Sequence, residues 1–392
     1  MIKYFAPFFL LLFIITNALA QTQSPTQKKT IGIFVPLYLD SVFKSNIYKG
    51  NKKFPRFALP AIDFVQGAKI ALDSFPLDNC TITARIFDTK SDSTSVEDLI
   101  GQHQLDELDL IIGLVKDNDL NLLADFALLK KIPFVSATHP NDNGIEKNPY
   151  FYMLTPSLKT HCESIYSYLL QNHGSDNIII VRKPGSQEDK TVGFFKNINR
   201  PDKKELLKIK TIIPDSAWTN IQNELDSTRK NCIIGTSLDE TFAKELLASI
   251  IKLPKNFDLL LFGMPNWNAF NAFGKNIKSE YKDFPFYYTA PYFNDKTDSL
   301  SQLIQNSYLT QYKGTPSEMA YKGFEMMYLF SRAIAQNVEE FSAAVNNYPN
   351  KLFTAYKILP VYLKGLNKEV NYYENKNLYF IKRINGKSSI AW

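Results

Sequence analysis

The stretch "LDLIIGLVKDNDLNLLADFALLKKIPFVSATHPND", Leu108–Asp142, decides how the rest of the chain is read. Its first eight residues are a mostly apolar run of the length of a buried strand. Leu120, Leu123, Ala124, Ala127 and Leu128 then recur at helical spacing. Ile132 to Val135, branched and aromatic, make a second strand. Two strands joined through a helix form a parallel pair, because only a long crossover lets the second strand run the same way as the first. The second strand then gives way abruptly to Ser136-Ala137-Thr138 and a Pro/Asn/Asp turn. Small hydroxyl side chains at the carboxyl end of a core strand ask for an explanation beyond turn formation.

The alternation extends both ways. Upstream lie the strand "TIGIFVPLY", the helix "LPAIDFVQGAKIALDSF", the strand "CTITARIFD" and the helix "SVEDLIGQHQL". The first of these helices puts Ala61, Val65, Ala68, Leu72 and Phe75 on one side and Asp63, Gln66, Lys69 and Asp73 on the other. Downstream the pattern restarts with "YFYMLTP" and the helix "SLKTHCESIYSYLLQ". Strands "NIIIVRK", "LLKIKTII", "NCIIGTS", "DLLLFG" and "FPFYYTAP" follow, separated by helices near Asp189–Ile198, "AWTNIQNEL" and "DETFAKELLASIIK". Two consecutive sets predict an α/β protein of two lobes, each with a mostly parallel sheet covered on both faces. Two long helices come after Phe293, and the tail "VNYYENKNLYFIKRINGKSSIAW" predicts a terminal hairpin. Ser237 with Glu240 three residues on predicts a capping box.

The first 20 of the 392 residues have the form of a secretory signal: Lys3, an apolar run, and Ala18-Leu19-Ala20 before the cut. Gln21 follows rather than Cys, so the reading is an exported, soluble chain without a lipid anchor at that position. The formal charge of +6 is mild for this length and argues against a nucleic-acid binder. Its local exception is "KSNIYKGNKKFPR", read first as a solvated loop. Cys80, Cys162 and Cys232 read as buried free thiols, and His103, His139, His161 and His173 lack metal-ligand spacing. Neither G-x-S-x-G, H-E-x-x-H nor G-x-G-x-x-G occurs, so the sequence reads as a non-enzyme with no cofactor and no metal.

The segments "FVQGAKIALDSF", "LDLIIGL", "IPFVSATHP", "YFYMLTPS", "FDLLLFGMPNW" and "YLTQYKGTPSEMAYKGFEMMYLFSRAI" resemble, in order and spacing, the type I periplasmic binding proteins. The nearest branch is that of the branched-chain (Leu/Ile/Val) amino-acid binders of ABC importers. The resemblance implies two Rossmann-like lobes joined by a three-strand hinge. Residues 30–154 with 293–345 would form lobe 1, and 155–292 with 346–392 lobe 2. The crossings would fall near Leu154–Ser157, near Thr289–Phe293 and after Val345. It further implies a monomeric periplasmic protein that captures a small polar solute, of the amino-acid or carboxylate class, for an ABC permease in the inner membrane.

Ligands of open α/β sheets sit beyond the carboxyl ends of the strands, where the strand order reverses. Ser136, Ala137 and Thr138 lie at such an end, and in the family the matching segment binds the ligand's α-carboxylate. Lys116, Asp117 and Asn118 follow another strand. Trp267 and Tyr288, with Tyr287 and Tyr292, come from loops expected at the cleft or its hinge, where rings stack on a ligand or simply pack. Arg182 and Lys183 end a strand of the second lobe. The chain departs from the amino-acid binders twice: the loop 116–118 lacks their serine, and Met264-Pro265-Asn266-Trp267 lacks their acid after Gly263. These departures, with a long first loop from Leu39 to Ala58, leave open a second reading, an envelope protein that uses its surface to hold a partner.

Overall fold

The computed structural model describes residues 27–45, 47–50, 54–200, 204–270, 273, 281, 283–336, 340–349, 352–363 and 369–392. The signal-like segment 1–20 lies outside them.

The first sheet begins with β1 (Gln27–Val35), β4 (Cys80–Asp88), β5 (Leu110–Gly113), β6 (Phe134–Ser136) and β7 (Phe151–Met153). β1 pairs in parallel with β4 on one side and β5 on the other, so the strand order reverses between β1 and β5. Helices α2 (Leu59–Ser74), α9 (Ser299–Tyr312) and α10 (Glu318–Ala335) bury Phe64, Ile304 and Phe324 against one face. α3 (Val96–Gly101) and α4 (Asp117–Lys130) cover the other with Leu99, Leu120 and Leu123. α2 and α10 approach closely enough that a Cβ on Gly67 would lie 1.8 Å from the Ala320 carbonyl oxygen, and one on Gly323 2.0 Å from that of Phe64.

The second sheet has β8 (Asn177–Val181), β9 (Ile209–Ile212), β10 (Asn231–Gly235), β11 (Leu259–Phe262) and β12 (Phe286–Ala290) in parallel, in the order 9-8-10-11-12. α5 (Leu158–Asn172), α6 (Ser186–Asn199) and α8 (Glu240–Ile251) pack on it through Cys162, Ile165, Phe195 and Leu246. The expected helix "AWTNIQNEL" shortens to α7 (Asn220–Asn223), because Asp215 gathers Ala217, Thr219 and Asn220 into a hydrogen-bonded turn instead. The expected capping box at Ser237 is replaced by Asp239, which accepts from Phe242 N at 2.7 Å. Ser237 Oγ points instead to buried Glu188, at 2.6 Å.

The chain passes from sheet one to sheet two between Met153 and Leu158, and returns between Ala290 and Ser299. The last crossing differs from expectation. β13 (Ile358–Tyr362) and β14 (Val370–Asn375) extend the first sheet: β14 runs parallel to β7, with Tyr373 opposite Tyr152 and their rings stacked at 5.0 Å. α11 (Phe341–Asn346) also joins the first core. The chain therefore crosses at residues 376–378, and only β15 (Tyr379–Ile384) and β16 (Lys387–Ile390) return to the second sheet, antiparallel beside β12. The hairpin expected from Val370 onward is thus split between lobes.

Candidate functional site

The carboxyl ends of both sheets face a cavity of about 610 Å³ between the lobes. Its walls come from the loops after β6, β10 and β11, from the first two crossings, and from the amino-terminal turns of α5 and α10. Thr138 and Pro140 stand on the first-lobe side, Leu238, Pro265, Asn266 and Asn268 on the second, and Thr155, Pro156 and Thr289 to Asn294 at the hinge.

The ionised groups of this lining are Lys296, Glu318 and Lys322. Glu318 and Lys322 are one helical turn apart on α10 and pair at 2.7 Å. Lys322 Nζ also lies 5.0 Å from the centre of the Tyr292 ring, and Lys296 Nζ 4.9 Å from that of Tyr321. Lys296 has no carboxylate partner among the described residues, so the wall carries an excess ammonium beside aromatic faces, which attract cations only weakly in water. Asn266 donates to the Leu238 carbonyl at 2.7 Å while its Oδ1, buried, finds no partner among the described residues.

The wall is otherwise held rigid by buried polar contacts. Tyr288 is 2 % exposed, and its hydroxyl donates to Asn268 Oδ1 at 2.9 Å; burial pushes that phenol up. His161, on α5, lies 2.7 Å from Thr289 Oγ1 on β12. Burial lowers its pKa to about 4, so the imidazole facing the cavity is neutral at physiological pH.

Of the residues singled out from sequence, Thr138 and Tyr288 line the cavity. Ser136 is fully buried with its hydroxyl unpartnered among the described residues, and Ala137 is in the first-lobe core, its carbonyl accepting from Thr155 Oγ1. Lys116, Asp117 and Asn118 are exposed at the start of α4 and do not reach the cavity lining. Trp267 is fully buried: its Nε1 donates to the Ser237 carbonyl at 3.0 Å, and its ring fills the space over Gly235 and Gly263. It is a core plug that sets the loop carrying Asn266 and Asn268. Arg182 pairs with Asp189 on its own lobe. Sequence reasoning missed Lys296, Glu318 and Lys322; the signal was the Glu/Lys pair four apart at the start of a helix whose other residues are mostly apolar.

Away from the cleft, His173, Asp176 and Cys232 place ligand atoms within 4.8 Å of one another. The imidazole there is already satisfied, by Asp176 at 2.7 Å and the Tyr168 hydroxyl at 3.3 Å.

Two doubly wound lobes, three crossings and a cleft at the switch points define the fold of the type I periplasmic binding proteins. Solved structures agree. A putative branched-chain amino acid ABC transporter protein from Rhodospirillum rubrum superposes with a TM-score of 0.64 at 11% identity, over 93% of this chain and 99% of that one. An ABC transporter substrate-binding protein from Desulfitobacterium hafniense, solved in complex with Leu, gives 0.52 at 12% identity over 93% and 100%. Full-length LpoA from Haemophilus influenzae gives 0.56 at 14% identity, over 94% of this chain and 60% of that one. At these identities the likeness is one of fold. No family model and no curated protein matches the sequence. Among the described residues no helix is long and apolar enough to cross a membrane.

Proposed function

We propose that the chain is a periplasmic, non-enzymatic binding protein that closes its lobes on a small polar solute with an anionic group, of the amino-acid or related carboxylate class, and delivers it to an ABC permease. The observation that carries this reading is the charge of the cleft wall: two ammonium groups, Lys296 and Lys322, against one carboxylate, Glu318. In a partly water-excluded cleft such an excess attracts an anion more strongly than at an open surface. The Thr138 hydroxyl and the unpaired Oδ1 of Asn266 supply polar contacts for the rest of the solute. The lack of an acid in the loop after Gly263 favours a carboxylate without an ammonium over an amino acid.

The test is a thermal-shift screen of amino acids, short peptides, sugars and simple carboxylates. A solute at about 100 times its dissociation constant adds about 2.7 kcal/mol of stability. Thr138→Val and Lys296→Met should each weaken an anionic solute about tenfold to a hundredfold, the worth of a charge-assisted hydrogen bond of ~1.5–3 kcal/mol. No shift with any compound, together with a Thr138→Val variant that melts early, would put the envelope-partner reading ahead. That second reading draws on the absent serine in the loop 116–118 and the fold shared with LpoA.

A further inference from the structure

Between β1 and α2 the chain makes an excursion, Tyr38–Leu59, that the cleft does not use: none of its described residues lines the cavity. Its base is fastened. The Asp88 carboxylate, at the end of β4, accepts from the backbone N–H groups of Leu37, Tyr38 and Leu39 at 2.9, 3.1 and 2.7 Å. Asp40 turns back to Ser91 Oγ and the Asp92 N–H, both at 2.8 Å. Above this base α1 (Leu39–Val42) leads into a two-stranded hairpin, β2 (Phe43–Lys44) and β3 (Ile47–Tyr48). Phe43, Tyr48 and Phe54 make a small aromatic core, with Tyr48 and Phe54 stacked at 5.7 Å.

What this core leaves outside is unusual. Ile47, beside the hairpin turn, is 72% exposed, Phe57 58% and Leu39 43%. Lys44, paired across the ladder with Ile47, is exposed, as are Lys49 and Arg56. Residues 38–59 contain five basic residues and one acid, a net +4 out of +6 for the whole chain. That single acid, Asp40, is the one turned back onto the lobe. Of these basic residues Lys44, Lys49 and Arg56 are among the described ones, and they stand exposed on a fastened projection together with the apolar side chains of Leu39, Ile47 and Phe57.

We propose that this projection docks on an anionic lipid surface. Exposed aliphatic and aromatic side chains amid lysines and arginine suit the headgroup boundary: the apolar groups enter it and the cations meet lipid phosphates. An acidic protein would satisfy the cations equally well. It would gain little from a side chain such as Ile47, standing out alone at a hairpin turn rather than forming part of a flat patch.

The experiment is co-sedimentation of the protein, lacking residues 1–20, with vesicles of phosphatidylcholine alone or mixed with phosphatidylglycerol, at low and high salt. Binding should require phosphatidylglycerol and weaken with salt. Reversing Lys44, Lys49 and Arg56 to Glu should reduce partitioning by at least about a hundredfold, since loss of each basic residue near the surface alone is worth about fivefold. Ile47→Asp with Phe57→Asp should remove the part that survives high salt. Lys49 Nζ also donates to the Asp40 carbonyl at 2.5 Å, and the Phe57 ring meets Tyr38 edge-on at 4.8 Å. Lys44→Glu with Arg56→Glu, and Ile47→Asp alone, touch neither contact, so they should weaken binding while melting with the wild type, and these separate lost docking from lost folding. The proposal is overturned by an absence of binding to the anionic vesicles, by wild-type binding in either variant, or by binding to soluble polyglutamate with none to vesicles. The last result would point to an acidic protein partner.

Discussion

His161 Nδ1 and Thr289 Oγ1 lie 2.7 Å apart, which ties the helix entered by the first crossing to the strand that leads out through the second. The same helix turn reaches the third crossing: Glu374, 2 % exposed, accepts from Ser157 N–H and Thr160 Oγ1, both at 2.7 Å. All three connections between the lobes thus converge on the start of α5. His161 is held neutral by burial, at a pKa of about 4 against an ordinary 6.5. Between those values the unfolded chain binds a proton that the folded chain refuses, so stability falls as the pH drops through that window. Above about pH 6.5 the effect vanishes, and below about pH 4 it levels off at roughly 3 kcal/mol. Denaturant unfolding across this range, compared with His161→Gln, should show the variant losing less stability on acidification than the wild type. Parallel pH profiles would refute the assignment.

The contact between α2 and α10 leads to a prediction confined to the first lobe. Each helix offers a glycine to the other's backbone, and a methyl on Gly67 or Gly323 meets a carbonyl oxygen at 1.8 or 2.0 Å. Backbone cannot rotate out of the way as a side chain can, so the helices must separate. Gly67→Ala or Gly323→Ala should cost about 3 kcal/mol or more, at the upper end of overpacking. The intrinsic helix preference for Ala over Gly would favour the substitutions by up to ~1 kcal/mol. A variant more stable than wild type in a denaturant melt would mean that propensity, not packing, governs this contact.

Trp267 gives a third. The indole is enclosed between Gly235 and Gly263, where an added Cβ would approach it to 2.7 and 2.3 Å. Trp267→Ala should cost about 3–5 kcal/mol as a core cavity. Gly263→Ala should also destabilise, by pushing on the ring. Measured by unfolding, the Trp267→Phe variant should fall between wild type and Trp267→Ala. A cleft residue would instead leave the empty protein's stability nearly untouched.

Trp267 also shows where the sequence stops speaking. The alternation of strand and helix was legible throughout, since burial on both faces of a parallel sheet forces apolar runs that a single chain displays openly. Thr138 was placed on the cavity wall because the carboxyl end of a strand marks the cleft wherever the sheet goes, whereas Tyr288, expected on a loop, lines the cavity from within β12. The rest depends on direction, which periodicity does not carry. Ser136 and Thr138 are two residues apart, yet one is fully buried at the end of β6 and the other lines the cavity. Nothing in "VNYYEN" says which sheet's edge the strand will extend; the choice is made by Tyr373 on Tyr152 and by Glu374 reaching Ser157. Lys322 joins the cavity wall only when α10 is laid back on the first lobe, and Lys296 only through the second crossing, both more than 150 residues from the "SAT" loop.

Lys376 supplies the last prediction. Its ammonium pairs with the buried Glu374 carboxylate and donates to Thr160 Oγ1 at 2.7 Å. Burial alone would raise the Glu374 pKa; Lys376, with the donors from Thr160 and Ser157, outweighs it and holds the group below its ordinary 4.5. A carboxylate depressed in this way stabilises the fold above about pH 4.5, and the contribution is lost as the pH falls through the folded-state value. Lys376→Met keeps most of the stem but strands the charge, which at neutral pH should cost about 3 kcal/mol. The gap between wild type and variant should narrow in acid, where the carboxyl is protonated in both. Glu374→Gln placed on the Lys376→Met background should recover part of the loss, because a neutral amide no longer needs the ammonium. Unfolding curves for the two single variants and the double variant measure the coupling directly. A double variant as unstable as the sum of the singles would show that Glu374 and Lys376 act independently and that the hinge is held by packing instead.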